Sequence, residues 1–343
     1  MKKRVTLEDV SRAAGVSPIT VSRSLRKPEM VSEAIRERVQ QAVRELGYVP
    51  NTAAQFLATG RSNVIGVVIP SVTNNVFADV LRGIYSETEK TSYQVQVVNS
   101  RYSGEIEEGL LRLFRSQSPA GMIVAGFDQT PAAREILASL NCPVVQIMDA
   151  GEDPVDHGIG FSHFDAAAAA THHLLDQGYR KLGFVGARMD PRTRRRFAGF
   201  RATAEAAGAF DERRVVQTTE ASSVARGASL LSELLAKAPD VDAVFCNNDD
   251  LALGVVFEAH RRGIAIPDAL GVCGFNDLEM MAAAEPSITS VHTPRFEIGC
   301  EAIRYVLARL GEENGEATPR EIGFRVIPRK STLRSQRRAV PKS

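Results

Sequence analysis

The chain has 343 residues, which is too long for one ordinary hydrophobic core and fits two or three domains. Its 44% hydrophobic and 24% charged residues are typical of a globular protein, and no apolar run approaches the roughly 18 residues that span a bilayer. Residues 1–61 hold eleven Lys and Arg against six Asp and Glu, a charge of +5, and the remainder carries −4. Such a basic segment on a mildly acidic body is typical of a module that contacts phosphates.

The N terminus and the cysteines both favour a cytoplasmic protein. Met-Lys-Lys-Arg runs directly into a helical pattern, with no apolar stretch or cleavage site for export. The four cysteines are scattered among apolar or small residues, and none has metal-ligand spacing. We therefore expect reduced, buried thiols and predict neither a metal site nor a cofactor.

The first residues are predicted to form two short helices joined by a tight turn. Thr6 is placed to cap the first helix, with Asp9 as its capping-box partner, and Gly15 ends it. Ser17 and Pro18 then begin a second helix at once. Two helices joined so closely must cross steeply, as in a helix-turn-helix.

A third helix is predicted to complete a small core. It begins at Ser32, ends before Gly47, and carries four apolar residues on one stripe: Ile35, Val39, Val43 and Leu46. In the second helix Val21 and Leu25 face inward, which leaves its N-terminal residues free to enter a major groove. The alternative for this pattern alone is an ordinary three-helix bundle.

These motifs resemble the headpiece of the lac-repressor (LacI/GalR) family. The likeness is carried by Thr6–Arg23 and by Leu-Gly-Tyr-Val-Pro-Asn at Leu46–Asn51, and it then extends over essentially the whole chain. It implies DNA contacts by ten residues: Thr6, Ser17, Pro18, Ile19, Thr20, Ser22, Arg23, Asn51, Ala54 and Leu57. Pro18 and Ile19 lie where the family varies with operator sequence, and this apolar pair should read shape and thymine methyl groups.

The resemblance also implies a hinge helix over Asn51–Thr59, closed by Gly60. Nine residues are too few for a helix that persists alone in water, so we expect it to fold against DNA and its partner hinge. Leu57 lies where the family inserts a leucine into the central base step from the minor groove. The alternative for Leu57 is a linker residue that packs on the core.

After Arg61 the pattern changes to alternating strands and helices, which predicts parallel, doubly wound sheets. Predicted strands are Val64–Ile69, Gln94–Val98, Gly121–Ala125, Val144–Met148, Leu182–Val185, Ala243–Cys246 and Gly271–Phe275. Predicted helices include Phe77–Thr91, Pro131–Leu140, Asp165–Gln177, Asp249–Arg262 and Arg295–Leu310. So many elements favour two Rossmann-like lobes with a ligand between them, as in the family's core, which resembles periplasmic sugar-binding proteins.

The predicted fold is therefore an all-α helix-turn-helix headpiece followed by an α/β core of two Rossmann-like lobes. The predicted domains are a DNA-binding domain at 1–49, a hinge and linker at 50–61, and an effector-binding and dimerisation core at 62–340. Within the core we place lobe 1 at about 62–161 and 293–323, and lobe 2 at about 162–292 and 324–340. The chain is expected to cross between lobes near Phe161, His292 and Gly323.

No catalytic motif supports an enzyme. The chain has no Gly-x-Gly-x-x-Gly after a strand, no Walker loop, no His-Glu-x-x-His and no nucleophile elbow. Asn247–Asp250 opens a helix directly after a strand, so capping and ligand contact explain it better than a metal. A solute-binding protein would share the core, but it would need an export signal and would lack the basic headpiece.

Seven residues are predicted to bind the effector: Ser71, Phe77, Asp149, Arg192, Arg196, Asn248 and Asn276. The family resemblance implies this role for all of them except Ser71, which ends a predicted strand, and Arg192, which lies in an arginine-rich segment. The family often has Asp where this chain has Asn276, so a negative charge is removed. Five arginines also lie within Gly186–Arg196. Because a guanidinium beside a cleft usually pairs with a carboxylate or phosphate, an anionic effector is favoured over a neutral sugar.

Several phrases, including Ile69–Ala78 and Gly186–Thr193, resemble the gluconate-operon repressor branch of the family. The resemblance implies a sugar-acid effector such as gluconate, 6-phosphogluconate or 2-ketogluconate, with a neutral sugar as the alternative. It also implies a homodimer on a palindromic operator, since no leucine heptad follows Ile327 to form a tetramer. Whether the effector releases DNA or tightens its binding is left open by the sequence.

Overall fold

The structure is a computed structural model, and it describes residues 5–26, 30–49, 62–89, 91–151, 153–311 and 320–334. The chain divides near Ser62 into a helical N-terminal unit and a larger α/β unit. Among the described residues, no helix combines the length and the apolar character that crossing a membrane requires.

Three helices form the N-terminal unit: α1 (Leu7–Ala14), α2 (Pro18–Arg26) and α3 (Glu33–Leu46). The predicted capping box is present at the start of α1, where Thr6 and Asp9 each accept the other's backbone N–H, and Gly15 ends the helix at φ 63°. The Ser17 hydroxyl accepts the backbone N–H of Thr20 at 3.2 Å at the start of α2. Arg38 donates to the carbonyl of Gly15 at 3.2 Å, which holds the end of α1 against α3.

The core of this unit differs from the prediction at one position. Val39 is fully buried as expected, but Leu46, predicted on the inward stripe, is 37% exposed. Gly47 turns the chain at φ 61°, and the next residue donates its backbone N–H to Val43 at 3.0 Å. As a result Tyr48 is buried, and its ring fills the end of the core that Leu46 was expected to fill.

The α/β unit alternates strands and helices throughout. In chain order its elements are β1 (Val64–Ile69), α4 (Val76–Thr88), β2 (Gln94–Asn99), α5 (Gly104–Gln117), β3 (Gly121–Ala125), α6 (Pro131–Ala138), β4 (Val144–Ile147), β5 (His157–Gly160), α7 (His163–Asp176), β6 (Leu182–Ala187), α8 (Pro191–Ala206), β7 (Val215–Thr218), α9 (Val224–Lys237), β8 (Ala243–Cys246), α10 (Asp249–Arg261), β9 (Gly271–Asn276), α11 (Glu279–Ala283), β10 (Thr289–His292), α12 (Arg295–Leu310), β11 (Arg320–Glu321) and β12 (Arg325–Ile327). The seven predicted strands and five predicted helices all appear among them.

The strands form two six-stranded sheets, in the orders β11-β5-β4-β3-β1-β2 and β12-β10-β9-β8-β6-β7. All neighbours are parallel except β12, which runs antiparallel to β10. The chain changes sheet three times, after Gly160, after His292 and after Glu321. We call the first sheet with α4, α5, α6 and α12 the first lobe, and the second sheet with α7 to α11 the second lobe.

Five strands were not predicted: β5, β7, β10, β11 and β12. They are two to four residues long and lack the apolar runs that mark a buried strand. β5 is His-Gly-Ile-Gly, and in the edge strand β7 only Val216 is buried. Neighbouring strands determine their pairing, because so short a segment has little preference of its own for the β conformation.

The hydrophobic core is continuous between the lobes at the first crossing. Phe161 lies directly after β5, and its ring centroid is 6.3 Å from that of Phe275 in β9. Both rings are fully buried in a cluster that includes side chains of both sheets. The crossing segment is therefore packed in apolar side chains, and the polar residues of the strand ends lie beside it.

Glycines allow paired helices to approach closely in this unit. In the α9–α10 pair, a Cβ on Gly254 would overlap the carbonyl oxygen of Val224, and one on Gly227 would overlap that of Leu251. Backbone meets backbone at this crossing, so neither helix can accept a side chain without moving.

Gly254→Ala is therefore expected to lower the free energy of unfolding by about 2 kcal/mol, the usual effect of overpacking. The matched control is Gly109→Ala in α5, where an added Cβ has no atom within 4 Å. The control should raise stability by roughly 0.5 kcal/mol, because alanine favours a helix over glycine. Urea denaturation measures the free energy of unfolding of both variants. Equal values for Gly254→Ala and Gly109→Ala would contradict the packing described for α9 and α10.

Candidate ligand cleft and DNA-contact face

The exposed face of α2 carries the residues predicted to contact DNA. Pro18, Ile19 and Arg23 are exposed, and the Ile19 side chain is 71% accessible. Ser22 and Thr20 are half-buried, and the Thr20 hydroxyl is hydrogen-bonded to that of Ser17 at 2.8 Å. An apolar residue exposed beside an arginine suits a surface that meets base edges and methyl groups.

The remaining predicted DNA contacts fall elsewhere. The Thr6 hydroxyl is hydrogen-bonded to the Asp9 carboxylate at 2.8 Å within the capping box. Asn51, Ala54 and Leu57 lie outside the described residues.

A cleft that is partly open to solvent lies where the strand ends of the two lobes face each other. Because parallel strands end at the same edge of a sheet, the loops after β2, β6 and β8 and the last residue of β9 all reach it. Sixteen residues line it: Asn74, Val76, Phe77, Tyr102, Met148, His163, Ala187, Arg188, Asp190, Arg192, Thr193, Arg196, Ser222, Asn247, Asn248 and Asn276.

Five of the seven predicted effector residues line this cleft: Phe77, Arg192, Arg196, Asn248 and Asn276. The other two, Ser71 and Asp149, are not among the lining residues. The Ser71 hydroxyl accepts the backbone N–H of Asn74 at 3.1 Å, so it shapes the loop that carries Asn74. Asp149 is buried and forms an ion pair with Arg195 of the second lobe.

Arg196 is held in the cleft by three groups. Its Nε donates to Nδ1 of His163 at 3.2 Å, and one terminal nitrogen donates to the carbonyl of Asn247 at 2.6 Å. The guanidinium carbon lies 3.8 Å from the centroid of the Phe275 ring. Burial lowers the pKa of Arg196 to about 10, so the group remains cationic at neutral pH. The described residues provide it with no ion-pair partner.

His163 fixes the orientation of that arginine. Its Nε2 lies 3.0 Å from the carbonyl oxygen of Met148, so Nε2 carries the proton and Nδ1 accepts from Arg196. Burial and the neighbouring guanidinium groups lower the pKa of His163 well below its usual value. A neutral histidine thus joins the end of β4 in the first lobe to α8 in the second.

Arg192 differs from Arg196 because it has an acidic group within ion-pair distance. It lies 3.9 Å from the Asp190 carboxylate, which also caps α8 by accepting the backbone N–H of Thr193 at 2.8 Å. Burial alone would lower the pKa of Arg192, but Asp190 and Asp128 raise it above the usual value. The charge of Arg192 is therefore largely balanced within the protein.

The asparagines at the strand ends have separate roles. The Asn247 side chain accepts the backbone N–H of Ala187 at the end of β6 and donates to the hydroxyl of Thr193 in α8. The Asn248 side-chain oxygen caps α10 by accepting the N–H of Leu251 at 3.1 Å. Asn276 has φ 113°, a strained value for a residue with a side chain, and its buried Oδ1 has no partner among the described atoms.

Sequence reasoning missed His163, Arg188 and Tyr102. Arg188 directly follows β6 and Tyr102 follows β2 by three residues, so the rule that ligands meet strand ends could have identified both. His163 gave no such signal, because its role depends on where α8 places Arg196. Within the described part of the chain, no cluster of His, Cys, Asp and Glu has the arrangement of a metal site.

Two family patterns match the chain. "Bacterial regulatory proteins, lacI family" matches residues 6–51, and "Periplasmic binding protein-like domain" matches residues 171–332. The chain is 40% identical to the HTH-type transcriptional regulator GntR of Pseudomonas aeruginosa over 96% of each chain. It is 37% identical to GntR of Escherichia coli K12, with 95% of this chain and 98% of that one covered.

Among solved structures, a LacI family transcriptional regulator from Silicibacter pomeroyi superposes with a TM-score of 0.89 at 37% identity, with 96% of this chain and all of that one covered. The chain therefore belongs to the lacI family of bacterial regulatory proteins. It is a DNA-binding transcription regulator and not an enzyme, which confirms the predicted family, fold class and type of function.

Glu107 in α5 is a half-buried acid that faces Arg192 from the first lobe. Its Oε1 is buried with no hydrogen-bond partner among the described atoms. Burial is the largest cause that raises its pKa to about 7, and Asp128 adds to the rise. Because the folded-state pKa exceeds the value of 4.5 for a free glutamate, this group stabilises the fold less as pH rises from 4.5 through 7.

Glu107→Gln should remove that pH dependence. We expect the variant to be more stable than the parent by about 2 kcal/mol at pH 8.5 and equally stable at pH 4.5. Chemical denaturation at both pH values measures the difference. Glu105→Gln, at an exposed position of the same helix, is the control and should leave the profile unchanged. If Glu107→Gln changed the free energy of unfolding by the same amount at both pH values, ionisation of Glu107 would not be the cause of the pH dependence.

Proposed function

We propose that this protein represses genes of sugar-acid catabolism and that a gluconate-type sugar acid, bound in the cleft, releases it from a palindromic operator. The observation that carries the proposal is the cationic character of the cleft. Three of its lining residues are arginines and only one, Asp190, is an acid. DNA binding implies a cytoplasmic location.

The arginines that lack an acidic partner define where the anion would bind. No salt bridge among the described residues involves Arg188 or Arg196, whereas Arg192 lies 3.9 Å from the Asp190 carboxylate. A carboxylate beside Arg196 would stabilise a buried cation, since an unpaired charge in a low-dielectric site is costly. A neutral sugar would leave that charge unbalanced.

The rest of the cleft suits a chain of hydroxyl groups. Asn276 offers a buried carbonyl oxygen without a partner, and the side-chain NH₂ of Asn248 remains after its oxygen caps α10. Phe77 supplies an apolar wall. A small number of polar groups set among apolar walls is typical of small-molecule sites. The two relatives that are named GntR support the same class of regulator.

The proposed mechanism is a shift between two lobe arrangements. In a homodimer, two headpieces meet the two half-sites of the operator, and the hinge segments at 50–61 connect them to the cores. Effector binding changes the angle between the lobes and so the separation of the hinges. By linkage, the effector weakens operator binding by the same factor as the operator weakens effector binding.

Operator release tests the proposal directly. A palindromic duplex is first selected with the full-length protein from a random pool, and the complex is then titrated with gluconate, 6-phosphogluconate, 2-ketogluconate and neutral glucose in a gel shift. We expect at least one of the sugar acids to release the DNA and glucose to have no effect. Release by glucose alone would overturn the proposed effector. Tighter DNA binding with every sugar acid would overturn the proposal that the effector releases the operator.

Arg196→Ala should separate effector response from DNA binding. Loss of one partner of a buried charge pair costs about 2 kcal/mol or more, so effector affinity should fall at least about 30-fold. Operator affinity without effector should stay at the parental value. Arg201→Ala is the control, because Arg201 lies on the same helix but is exposed and paired with Glu205. Equal effects of the two substitutions would show that Arg196 has no part in the response.

A further inference from the structure

Two loops that face each other across the cleft have unusual backbone conformations. Arg101 and Tyr102 after β2 have φ values of 54° and 59°, and Arg188 and Met189 after β6 have values of 68° and 48°. Glycine would occupy these conformations without strain, yet none of the four residues is a glycine. Residues held in such regions concentrate at sites where a side chain is required.

The two loops meet through their side chains. The guanidinium carbon of Arg188 lies 3.9 Å from the centroid of the Tyr102 ring, the geometry of a cation–π contact. The Tyr102 hydroxyl lies 3.3 Å from the Asn74 side-chain nitrogen, which positions the ring within the first lobe. The Arg188 backbone N–H donates to the backbone carbonyl of Glu220 at 2.8 Å, which positions the arginine within the second lobe. Each partner is thus held by its own lobe.

We infer that the stack of Tyr102 on Arg188 is a side-chain contact between the lobes that favours the closed cleft and so sets the protein's affinity for its effector. Both residues line the cleft, so closure places them next to a bound ligand. Their roles differ from that of Arg196, which is held beside the crossing segment by His163. The inference about affinity rests on the proposed function, whereas the contact between the lobes does not.

A contact of this strength is enough to shift the equilibrium between open and closed lobe arrangements without locking it. Cation–π pairs that remain partly hydrated change an equilibrium by about fivefold. A ligand that binds only the closed arrangement loses apparent affinity in proportion to the closed population. Weakening the stack should therefore reduce effector affinity by a similar factor, while Arg196 and the asparagines of the cleft stay in place.

Hydrogen exchange of the full-length protein tests the contact without any effector. Tyr102→Leu removes the ring face, and we expect exchange in residues 186–190 of the opposite lobe to become about fivefold faster. Tyr102→Phe keeps the ring and should restore the parental rate. Tyr85→Leu, at an exposed tyrosine of α4, is the control. Parental exchange at 186–190 in Tyr102→Leu, or acceleration confined to the first lobe, would overturn the inference.

Calorimetric titration with gluconate then tests the effect on affinity. Tyr102→Leu should bind gluconate about fivefold more weakly than the parent, and Tyr102→Phe should bind at close to the parental affinity. Unchanged affinity in Tyr102→Leu would overturn the link between the stack and the effector. If the parent protein does not bind gluconate, the proposed effector is wrong, and hydrogen exchange still decides whether the stack joins the lobes.

Discussion

The cleft depends on one buried cation. The guanidinium of Arg196 is 8% exposed and is satisfied by a histidine nitrogen, a backbone carbonyl and an aromatic face, none of which carries a negative charge. Burying a charge without an ion-pair partner costs free energy, and the proposed anionic effector would recover that cost. This constraint connects the architecture of the core to the kind of molecule it recognises.

The three groups that hold Arg196 all belong to the second lobe, and one of them, His163, also contacts the first lobe. His163 links Arg196 to the carbonyl of Met148 at the end of β4, and Tyr102 meets Arg188 across the same cleft. A ligand that pairs with Arg196 would therefore lie beside two contacts between the lobes. Differential binding to two lobe arrangements is what a transcription regulator of this kind requires.

Local signals predicted much of the fold. The capping box at Thr6, the left-handed Gly15 and the apolar runs of seven strands depend on a few neighbouring residues, so the sequence reveals them. The short strands β5 and β10 depend on their sheets, and Leu46 was placed wrongly because the turn at Gly47 brings Tyr48 into the core. In the cleft, strand ends and the family resemblance indicated Arg196 and Asn276. His163 was missed because its contacts depend on how α7 packs against α8 and against the end of β4.

The most direct test compares two ligands that differ only in charge at one end. D-gluconate and D-glucitol share a six-carbon hydroxylated chain, but glucitol has an alcohol where gluconate has a carboxylate. If the buried cation selects the effector, calorimetry should show gluconate binding at least about 30-fold more tightly than glucitol, as expected for a buried charge pair. Equal affinities for the two would contradict the account, because recognition would then depend on the hydroxyl groups alone.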